Sequence, residues 1–289
     1  MLFQRNGQQW LVHTPAKLNL YLEIIGRRND GFHELETFMV AVDLYDTLRF
    51  RPSLPTEPTR LSLRVQSGAA ADIPSDESNL VWKAADLLRQ RTGCEQGAHI
   101  ELYKRIPAQA GLGGGSSDAA ATLLGLNKMW NLGVSRADLH SMAAELGSDI
   151  NFFIEQTPAA VCRGRGEQVE AHRPERQLHF VISHPGPGLS TPEVFAACSV
   201  PEKPRDIGDF MSDLRSGHMA LHNRLSDAAM KIRPELSRLA ASFSGTNQMT
   251  GSGSAWFGLA PTRRAAMRNA HTIRNAHPDG TTFAVSMTG

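Results

Sequence analysis

A glycine-rich segment near the middle of the chain constrains the fold most. Residues 106–121 read IPAQAGLGGGSSDAAA, in which four of the five residues 111–115 are glycine and two serines follow. Glycine reaches positive φ without a steric penalty and lets backbone N–H groups approach a ligand closely. A helix that starts at this point adds unpaired N–H donors and the positive end of its dipole. The segment therefore predicts a phosphate-binding loop at the start of a helix.

The loop differs from two common nucleotide-binding motifs. No Gly-Lys-Ser/Thr follows, as a Walker A motif requires, and the third glycine of GxGxxG would fall on Ser116. A flexible loop before an ordinary helix cap is the alternative interpretation. Ser116 and Ser117 could cap the helix, bind a phosphate oxygen or coordinate magnesium, and the sequence leaves these choices open.

Length and composition limit the possible function classes. A chain of 289 residues corresponds to roughly two domains at about 150 residues each. With 41% hydrophobic and 20% charged residues, it has enough apolar material for a core. The net charge of +1 argues against binding DNA, RNA or an anionic membrane through bulk electrostatics. We therefore expect a small-molecule partner, no nucleic acid and no membrane.

The cysteines and the N-terminal segment indicate where the chain works. Cys94, Cys162 and Cys198 form no CxxC pair, which argues against a disulfide framework and a structural zinc site. The first residues lack a continuous apolar stretch, and no run of 18 uncharged apolar residues occurs. These features predict a cytoplasmic protein.

Periodicity predicts a mixture of helices and strands without strict βαβ alternation, which favours an α+β fold. A polar stretch at residues 163–177 suggests a domain boundary, with domains at 1–172 and 173–289. The predicted strands are Leu18–Leu22, Phe38–Val42, Thr47–Arg51, Leu178–Ser183 and Thr282–Ser286, with a turn at Arg27–Gly31. The predicted helices are Asn79–Arg91, Ser116–Trp130, Ser135–Leu146 and Ala260–Asn275.

Three shorter segments carry further candidate residues. In PAKLNLYLE (15–23), Lys17 and Asn19 lie two apart in a strand and share a face, where a solvated edge is the alternative. In GSDINFF (147–153), Asp149 is either a helix cap or a catalytic group, and the sequence alone favours the cap. MTGSGSAWFGL (249–259) is a second Gly/Ser turn before a strand and by itself indicates little.

In this order and spacing, the segments resemble the GHMP kinase superfamily. The matching runs extend from Pro15 to Leu259 and read PAKLNLYLEI, NDGFHEL, GLGGGSSDAA, GSDINFFI and TGSGSAWFGL. The resemblance implies a two-domain fold, with an N-terminal α/β domain like that of a small-subunit ribosomal protein and a ferredoxin-like C-terminal domain. It also implies an ATP-binding role for the N-terminal domain and an active site in the cleft between the domains.

The resemblance also implies a role for each matching residue. Lys17 and Asp149 would be the catalytic pair, and Asn19 would lie near the hydroxyls of the acceptor. Phe32, His33 and Phe195 would hold a cytosine ring, although Phe32 stands where many members have tyrosine. Asn79 and Lys104 would lie near the adenosine of ATP, and Ser117 is the candidate magnesium ligand. The loop around the ATP phosphates would consist of Pro107, Ala108, Gln109, Ala110, Gly111, Leu112, Gly113, Gly114, Gly115, Ser116 and Ser117.

The NDGFHEL segment narrows the expected reaction within the superfamily. It resembles the branch that uses ATP and magnesium to phosphorylate the 2-hydroxyl of 4-diphosphocytidyl-2-C-methyl-D-erythritol, in the non-mevalonate route to isopentenyl diphosphate. Galactokinases and homoserine kinases share the glycine loop without this segment. The alternatives are another small-molecule kinase of the superfamily and a non-enzymatic RNA- or ribosome-associated module.

Overall fold

The computed structural model describes residues 1–54, 56–57, 61–67 and 73–289. None of the described helices combines the length and the apolar composition that crossing a lipid bilayer would require. The strands are β1 (Leu2–Asn6), β2 (Gln9–Arg27), β3 (His33–Pro52), β4 (Leu61–Ser67), β5 (Ala98–Lys104), β6 (Ala159–Gly164), β7 (Gln168–His172), β8 (His179–His184), β9 (His222–Asn223), β10 (Asn247–Met249), β11 (Trp256–Ala260) and β12 (Thr281–Ser286). The helices are α1 (Leu80–Thr92), α2 (Gly114–Met129), α3 (Arg136–Leu146), α4 (Ile150–Glu155), α5 (Thr191–Ala197), α6 (Ile207–Ser216), α7 (Ser226–Ile232), α8 (Glu235–Ala241) and α9 (Arg263–Ala276).

The chain divides into two compact units that are interleaved in sequence. The first contains Met1–Ala16, Leu44–Ala108 and Gly113–Gln156, and the second contains Lys17–Asp43, Gln109–Leu112 and Thr157–Gly289. Each of the long strands β2 and β3 therefore has one part in the first unit and the other part in the second unit. This division differs from a single boundary after residue 172, which stays a prediction.

The first unit combines sheet strands with a layer of four helices. Its strands follow the order β1-β2-β3-β5-β4, and β4 and β5 are parallel because α1 provides the crossover between them. The helix boundaries follow their caps: Asn79 accepts from the Val81 N–H at 2.9 Å, and Gly93 ends α1 at a φ of 64°. Helix α1 packs against α2 and α3, and α4 packs against the same two helices.

The second unit contains the predicted ferredoxin-like arrangement. Strands β8, β10, β11 and β12 form an antiparallel sheet in the order β10-β11-β8-β12. In chain order, helices α5–α8 lie between β8 and β10, and α9 lies between β11 and β12. Helix α9 packs on β8 and β12 through its apolar face. In the same unit, β6 pairs with the first part of β3, β7 with β6, and β9 with the second part of β2.

Several predicted boundaries were wrong. The helix predicted from Ala260 begins at Arg263, because Ala260 is the last residue of β11 and Thr262 caps the helix. The separate strands Phe38–Val42 and Thr47–Arg51 are parts of the continuous strand β3. The polar residues between them do not interrupt the strand because Asp46 is fully buried and hydrogen-bonded. Helix α2 begins two residues before the predicted Ser116, since Gly113 with a φ of 70° occupies the position before its first turn.

Gly125 allows α2 to lie close to β3, which generates a stability prediction. A Cβ at Gly125 would lie 2.8 Å from Cε2 of Phe50, whereas a Cβ at Gly115 in the same helix would lie 3.7 Å from Leu80. Gly125→Ala should lower the free energy of unfolding by about 1–2 kcal/mol because overpacking outweighs the helix preference of alanine. Gly115→Ala is the matched control and should not lower it. Urea denaturation of both variants checks this, and equal stability would contradict the close packing.

Candidate active site

The glycine loop is fixed by the second Gly/Ser turn. Gly111 has a φ of 75°, and a Cβ there would lie only 2.1 Å from the backbone oxygen of Thr250. The N–H of Ala255 donates to the oxygen of Ala110 at 3.0 Å. Position 111 therefore requires glycine for its conformation and for space. The segment 249–259, which alone indicated little, is the direct neighbour of the loop.

The start of α2 leaves both serines inside the helix rather than at its cap. Helix α2 starts at Gly114, so the interpretation of Ser116 or Ser117 as the cap is wrong. Ser117 is fully buried, and its hydroxyl donates to the oxygen of Pro15 at 2.6 Å and contacts the Thr14 hydroxyl. Ser116 is half-buried. Because Gly113 has no side chain to cap the helix, backbone N–H groups at its first turn can bind an anion.

Lys17 lies against the glycine loop, on a buried strand rather than a solvated edge. Its backbone N–H donates to the oxygen of Leu112 at 2.9 Å, and the residue is only 3% exposed. Its Nζ donates to Oδ1 of Asn19 at 2.6 Å, which confirms that the two side chains share a face. A Cβ at Gly251 would lie 3.2 Å from Nζ, so the second turn also borders the ammonium.

Asn19 has its amide orientation set by its neighbours. Its Nδ2 donates to the hydroxyl of Thr37 at 2.9 Å, and that hydroxyl donates to the oxygen of Tyr21 at 2.6 Å. The Asn19 backbone N–H donates to the hydroxyl of Thr250 at 3.0 Å. The amide oxygen therefore faces Lys17, and the amide nitrogen has a second N–H with which to donate to a ligand.

Asp149 immediately precedes α4, where the sequence favoured a capping role. Its side chain accepts no capping hydrogen bond from that helix, so this interpretation is wrong. The carboxylate is half-buried. A catalytic role for Asp149 stays a prediction.

Lys104 belongs to a buried cluster of charges at the end of β5. Its Nζ donates to Oδ2 of Asp118 at 2.7 Å and to Oδ2 of Asp46. Asp46 Oδ1 also accepts from the backbone N–H groups of Arg105 at 2.6 Å and Ile106 at 2.9 Å. Burial raises the pKa of the Asp118 carboxyl well above its ordinary value, Lys104 opposes this shift, and the Asp46 charge adds to it. The cluster anchors the chain that leads into the loop to the first turns of α2.

Asn79 has a structural task in the described geometry. Its Oδ1 accepts from the Val81 N–H and its Nδ2 donates to the oxygen of Pro74 at 2.6 Å. The side chain therefore caps α1 through Oδ1 and bonds to the preceding segment through Nδ2. A contact between Asn79 and adenosine stays a prediction.

Two of the predicted base-binding residues are in direct contact. The rings of His33 and Phe195 have centroids 5.3 Å apart, and His33 Nε2 is buried without a hydrogen-bond partner. Burial lowers the pKa of the His33 imidazole, and the charge of Arg27 adds to this effect. At neutral pH the ring is therefore uncharged, with one donor and one acceptor nitrogen. Phe32 lies in the turn before His33 and is 51% exposed.

Comparisons with known proteins show which family the chain belongs to. Residues 79–157 match the family model described as the GHMP kinases N terminal domain. The chain is 39% identical over 270 residues to the 4-diphosphocytidyl-2-C-methyl-D-erythritol kinase of Pelotomaculum thermopropionicum, covering 90% of this chain and 92% of that protein. It is 37% identical over 266 residues to the same-named protein of Shouchella clausii, covering 87% and 86%. A crystal structure of 4-(cytidine 5'-diphospho)-2C-methyl-D-erythritol kinase superposes with a TM-score of 0.78 at 34% identity, covering 96% of this chain and 99% of that one.

The chain belongs to the 4-diphosphocytidyl-2-C-methyl-D-erythritol kinase family of GHMP kinases. Membership confirms the predicted α+β GHMP kinase fold and the prediction of an ATP-dependent small-molecule kinase. The roles of individual residues in this family member stay predictions.

Four side chains that support the site were missed in the sequence. They hold predicted residues in place and are Thr37, Asp46, Asp118 and Thr250. Only Asp118 had a usable signal, because it follows the loop by a few residues while Lys104 precedes it with the opposite charge. The others are distant in sequence, and a single sequence contains no sign of their proximity.

The two carboxylates of the Lys104 cluster should respond differently to the same substitution. Asp46 accepts hydrogen bonds through both oxygens, so Asp46→Asn must place an NH2 group against a donor. This substitution should lower the free energy of unfolding by about 2–4 kcal/mol. Asp118 Oδ1 has no hydrogen-bond partner, so Asp118→Asn can keep its oxygen toward Lys104 and should cost less than about 1 kcal/mol. Urea denaturation at pH 7 compares them.

The pH dependence of the free energy of unfolding, compared between the native chain and Asp118→Asn, provides a second measurement. Since the pKa of Asp118 is raised on folding, ionising it costs stability as the pH rises above about 4. Asp118→Asn lacks this cost, so its stability relative to the native chain should increase between about pH 5 and pH 8. A constant difference over this range, or equal losses for the two Asn variants at pH 7, would contradict the described cluster.

Proposed function

We propose that this chain transfers the γ-phosphate of ATP to the 2-hydroxyl of 4-diphosphocytidyl-2-C-methyl-D-erythritol, giving the 2-phosphate and ADP. This is the kinase step of the non-mevalonate route to isopentenyl diphosphate. The observation that carries the kinase assignment is Lys17, whose backbone bonds to Leu112 and whose ammonium is buried beside the glycine loop. A cation at a phosphate-binding loop neutralises charge that moves during phosphoryl transfer.

On the ATP side, we assign the phosphates to the loop from Pro107 to Ser117. Its positive-φ glycines and the start of α2 supply backbone N–H donors without a cost of reorganisation at the moment of reaction. Lys104 and Asn79 are assigned to the neighbourhood of the adenosine, where they act mainly through the elements they anchor and cap.

Magnesium is the expected companion of ATP. Among the described residues, no group of three or more His, Cys, Asp and Glu side chains could hold a metal ion. Magnesium needs few protein ligands because substrate phosphates and water supply the rest, and it neutralises charge on those phosphates when bound. A hydroxyl oxygen suits such an ion. Ser117 would hold it only after releasing its hydrogen bond to Pro15, whereas the half-buried Ser116 makes no comparable hydrogen bond within the described residues.

On the acceptor side, Asp149 is assigned as the group that takes the proton of the attacking hydroxyl. Because Asn19 directs its oxygen toward Lys17, its second amide N–H would donate to an oxygen of the methylerythritol. This arrangement would fix the acceptor while leaving its 2-hydroxyl proton to the carboxylate. Phosphoryl transfer depends mainly on such positioning and on charge stabilisation.

The cytosine ring is assigned to His33, with Phe195 and Phe32 as aromatic neighbours. Cytosine presents an amino donor and a ring-nitrogen acceptor, which a neutral imidazole and adjacent backbone groups can match. The buried, unpartnered Nε2 of His33 supports this assignment because such an atom is costly unless a ligand pairs with it.

The cellular setting follows from the same chemistry. Cys94, Cys162 and Cys198 all lie in the described part of the chain and form no disulfide bond, which fits the reducing cytoplasm. We assign small molecules as the partners, ATP and the cytidine diphosphate compound, and neither a nucleic acid nor a membrane.

Substrate turnover tests the proposed reaction. The chain should phosphorylate 4-diphosphocytidyl-2-C-methyl-D-erythritol and neither homoserine nor mevalonate, as measured by coupled ADP release and product mass. The uridine analogue reverses the donor and acceptor of the base, so its kcat/KM should be about ten-fold lower or worse. In His33→Ala, the kcat/KM values for the cytidine and uridine compounds should lie closer together than in the native chain. Turnover of homoserine or mevalonate instead would establish another GHMP kinase, and salt-dependent RNA binding without ATP turnover would establish the non-enzymatic alternative.

Replacing Asp149 tests the role of its carboxylate. Asp149→Asn keeps the size of the side chain but removes its basicity, so kcat should fall by about 10²-fold or more. The affinity for ATP should change little because Asp149 is assigned to the acceptor. Steady-state kinetics and ATP titration of the folded variant measure both quantities. A variant with nearly native kcat would exclude Asp149 as the proton acceptor.

A further inference from the structure

Phe32 is a large aromatic side chain in an exposed turn. It lies between β2 and β3 and is 51% exposed. Its backbone is held on both sides, because its N–H donates to Oδ1 of Asp30 at 3.2 Å and its oxygen accepts from the Arg28 N–H at 2.9 Å. These bonds fix the backbone but leave the ring to be oriented by its own contacts.

Arg165 makes such a contact from a different turn. Its guanidinium carbon lies over the Phe32 ring, 4.9 Å from the ring centroid, which is within the usual range for a cation–π interaction. Arg165 belongs to the turn between β6 and β7. Pairing of Leu35 with Gly164 places this turn beside the first residues of β3.

The turn that carries Arg165 has little conformational freedom. The Arg165 N–H donates to Oε2 of Glu167 at 2.6 Å. Gly164 has a φ of 74°, and a Cβ there would lie 2.6 Å from Oε1 of the same glutamate. The backbone of Arg165 is therefore well defined, and its guanidinium is presented to one face of the ring.

We propose that Arg165 is a positioning residue for the cytidine substrate and acts through Phe32. The inference rests on the proposed function, in which Phe32 stacks on the cytosine. The guanidinium covers one face of the Phe32 ring and limits its rotation, which leaves the opposite face available to the base. An ordered ring loses less conformational entropy when the base binds, so Arg165 lowers the KM for this substrate without taking part in phosphoryl transfer.

The surrounding charges favour an effect on the ring over attraction of the substrate diphosphate. Arg28 lies 3.0 Å from Asp30 and 2.9 Å from Glu34. Arg163 lies 2.9 Å from Glu36 and 2.8 Å from Glu170. Arg28 and Arg163 are thus paired with carboxylates, so neither adds unbalanced positive charge that would steer an anion to this turn.

Kinetics with the full chain test the proposal. Arg165→Ala should raise the KM for 4-diphosphocytidyl-2-C-methyl-D-erythritol about two- to five-fold, the size of a cation–π contact at an exposed site. The kcat and the KM for ATP should stay unchanged, and Arg165→Lys should recover part of the loss because an ammonium can also cover the ring. Arg163→Ala, on β6 two residues before Arg165, is the matched control and should leave all three parameters unchanged.

A second background separates an effect through the ring from a direct contact. In Phe32→Leu, the change Arg165→Ala should have no further effect on KM, since the ring it orients is absent. An equal increase in KM in both backgrounds, or an increase that disappears in high salt, would overturn the proposal in favour of a direct contact with the diphosphate. An unchanged KM in Arg165→Ala would also overturn it.

The proposed function is tested separately in these assays by the native chain. If the native chain does not phosphorylate the cytidine compound, the proposed function fails. If the native chain phosphorylates the cytidine compound but the variants indicate a direct contact with the diphosphate, or show no change in KM, only the role of Arg165 fails.

Discussion

The polar face of β2 imposes the tightest constraint on the second unit. Four alternate residues on this face are polar yet nearly inaccessible, at 3%, 1%, 2% and 0% exposure for Lys17, Asn19, Tyr21 and Glu23. Burying such groups is costly unless each is hydrogen-bonded, and each one is. A shift of β2 by one residue would place leucines against these partners and polar groups in the apolar core. The register of β2, and with it the position of Lys17, is therefore strongly specified.

Glu23 shows how such a face can hold a full charge. Burial opposes its ionisation, but hydrogen bonds from the Arg224 side chain and from the Arg205 N–H lower its pKa to about 2. The carboxylate therefore stays ionised near neutral pH and ties β2 to the segment around β9. Because losing one partner of a buried ion pair strongly destabilises the fold, the position of β2 at Glu23 is as well determined as its position at Lys17.

The sequence predicted what depends on neighbouring residues and missed what depends on distant ones. The predicted helix starts at Asn79 and Ser135 were correct because N-terminal capping is decided within three residues. The shared face of Lys17 and Asn19 followed from the two-residue period of a strand. That this face is buried could not be predicted, since Thr37, Arg224 and Thr250 lie 18, 201 and 231 residues from their partners on β2. The same limit explains the error at Asp46, which looked like a break in a strand and is the buried partner of Lys104.

The charge balance of the chain explains why the proposed phosphate site would depend on backbone geometry. The net charge is +1, and basic side chains such as Lys104, Arg163 and Arg224 are committed to carboxylates within the fold. Binding two phosphate-bearing substrates therefore requires donors that are fixed in place rather than an excess of mobile charge. Backbone N–H groups of a glycine loop meet this requirement only if the loop itself is rigid. The absence of room for a Cβ at Gly111 and the anchoring of α2 by Asp118 and Lys104 provide that rigidity. The contacts that hold the loop in place are thus what make its glycines effective.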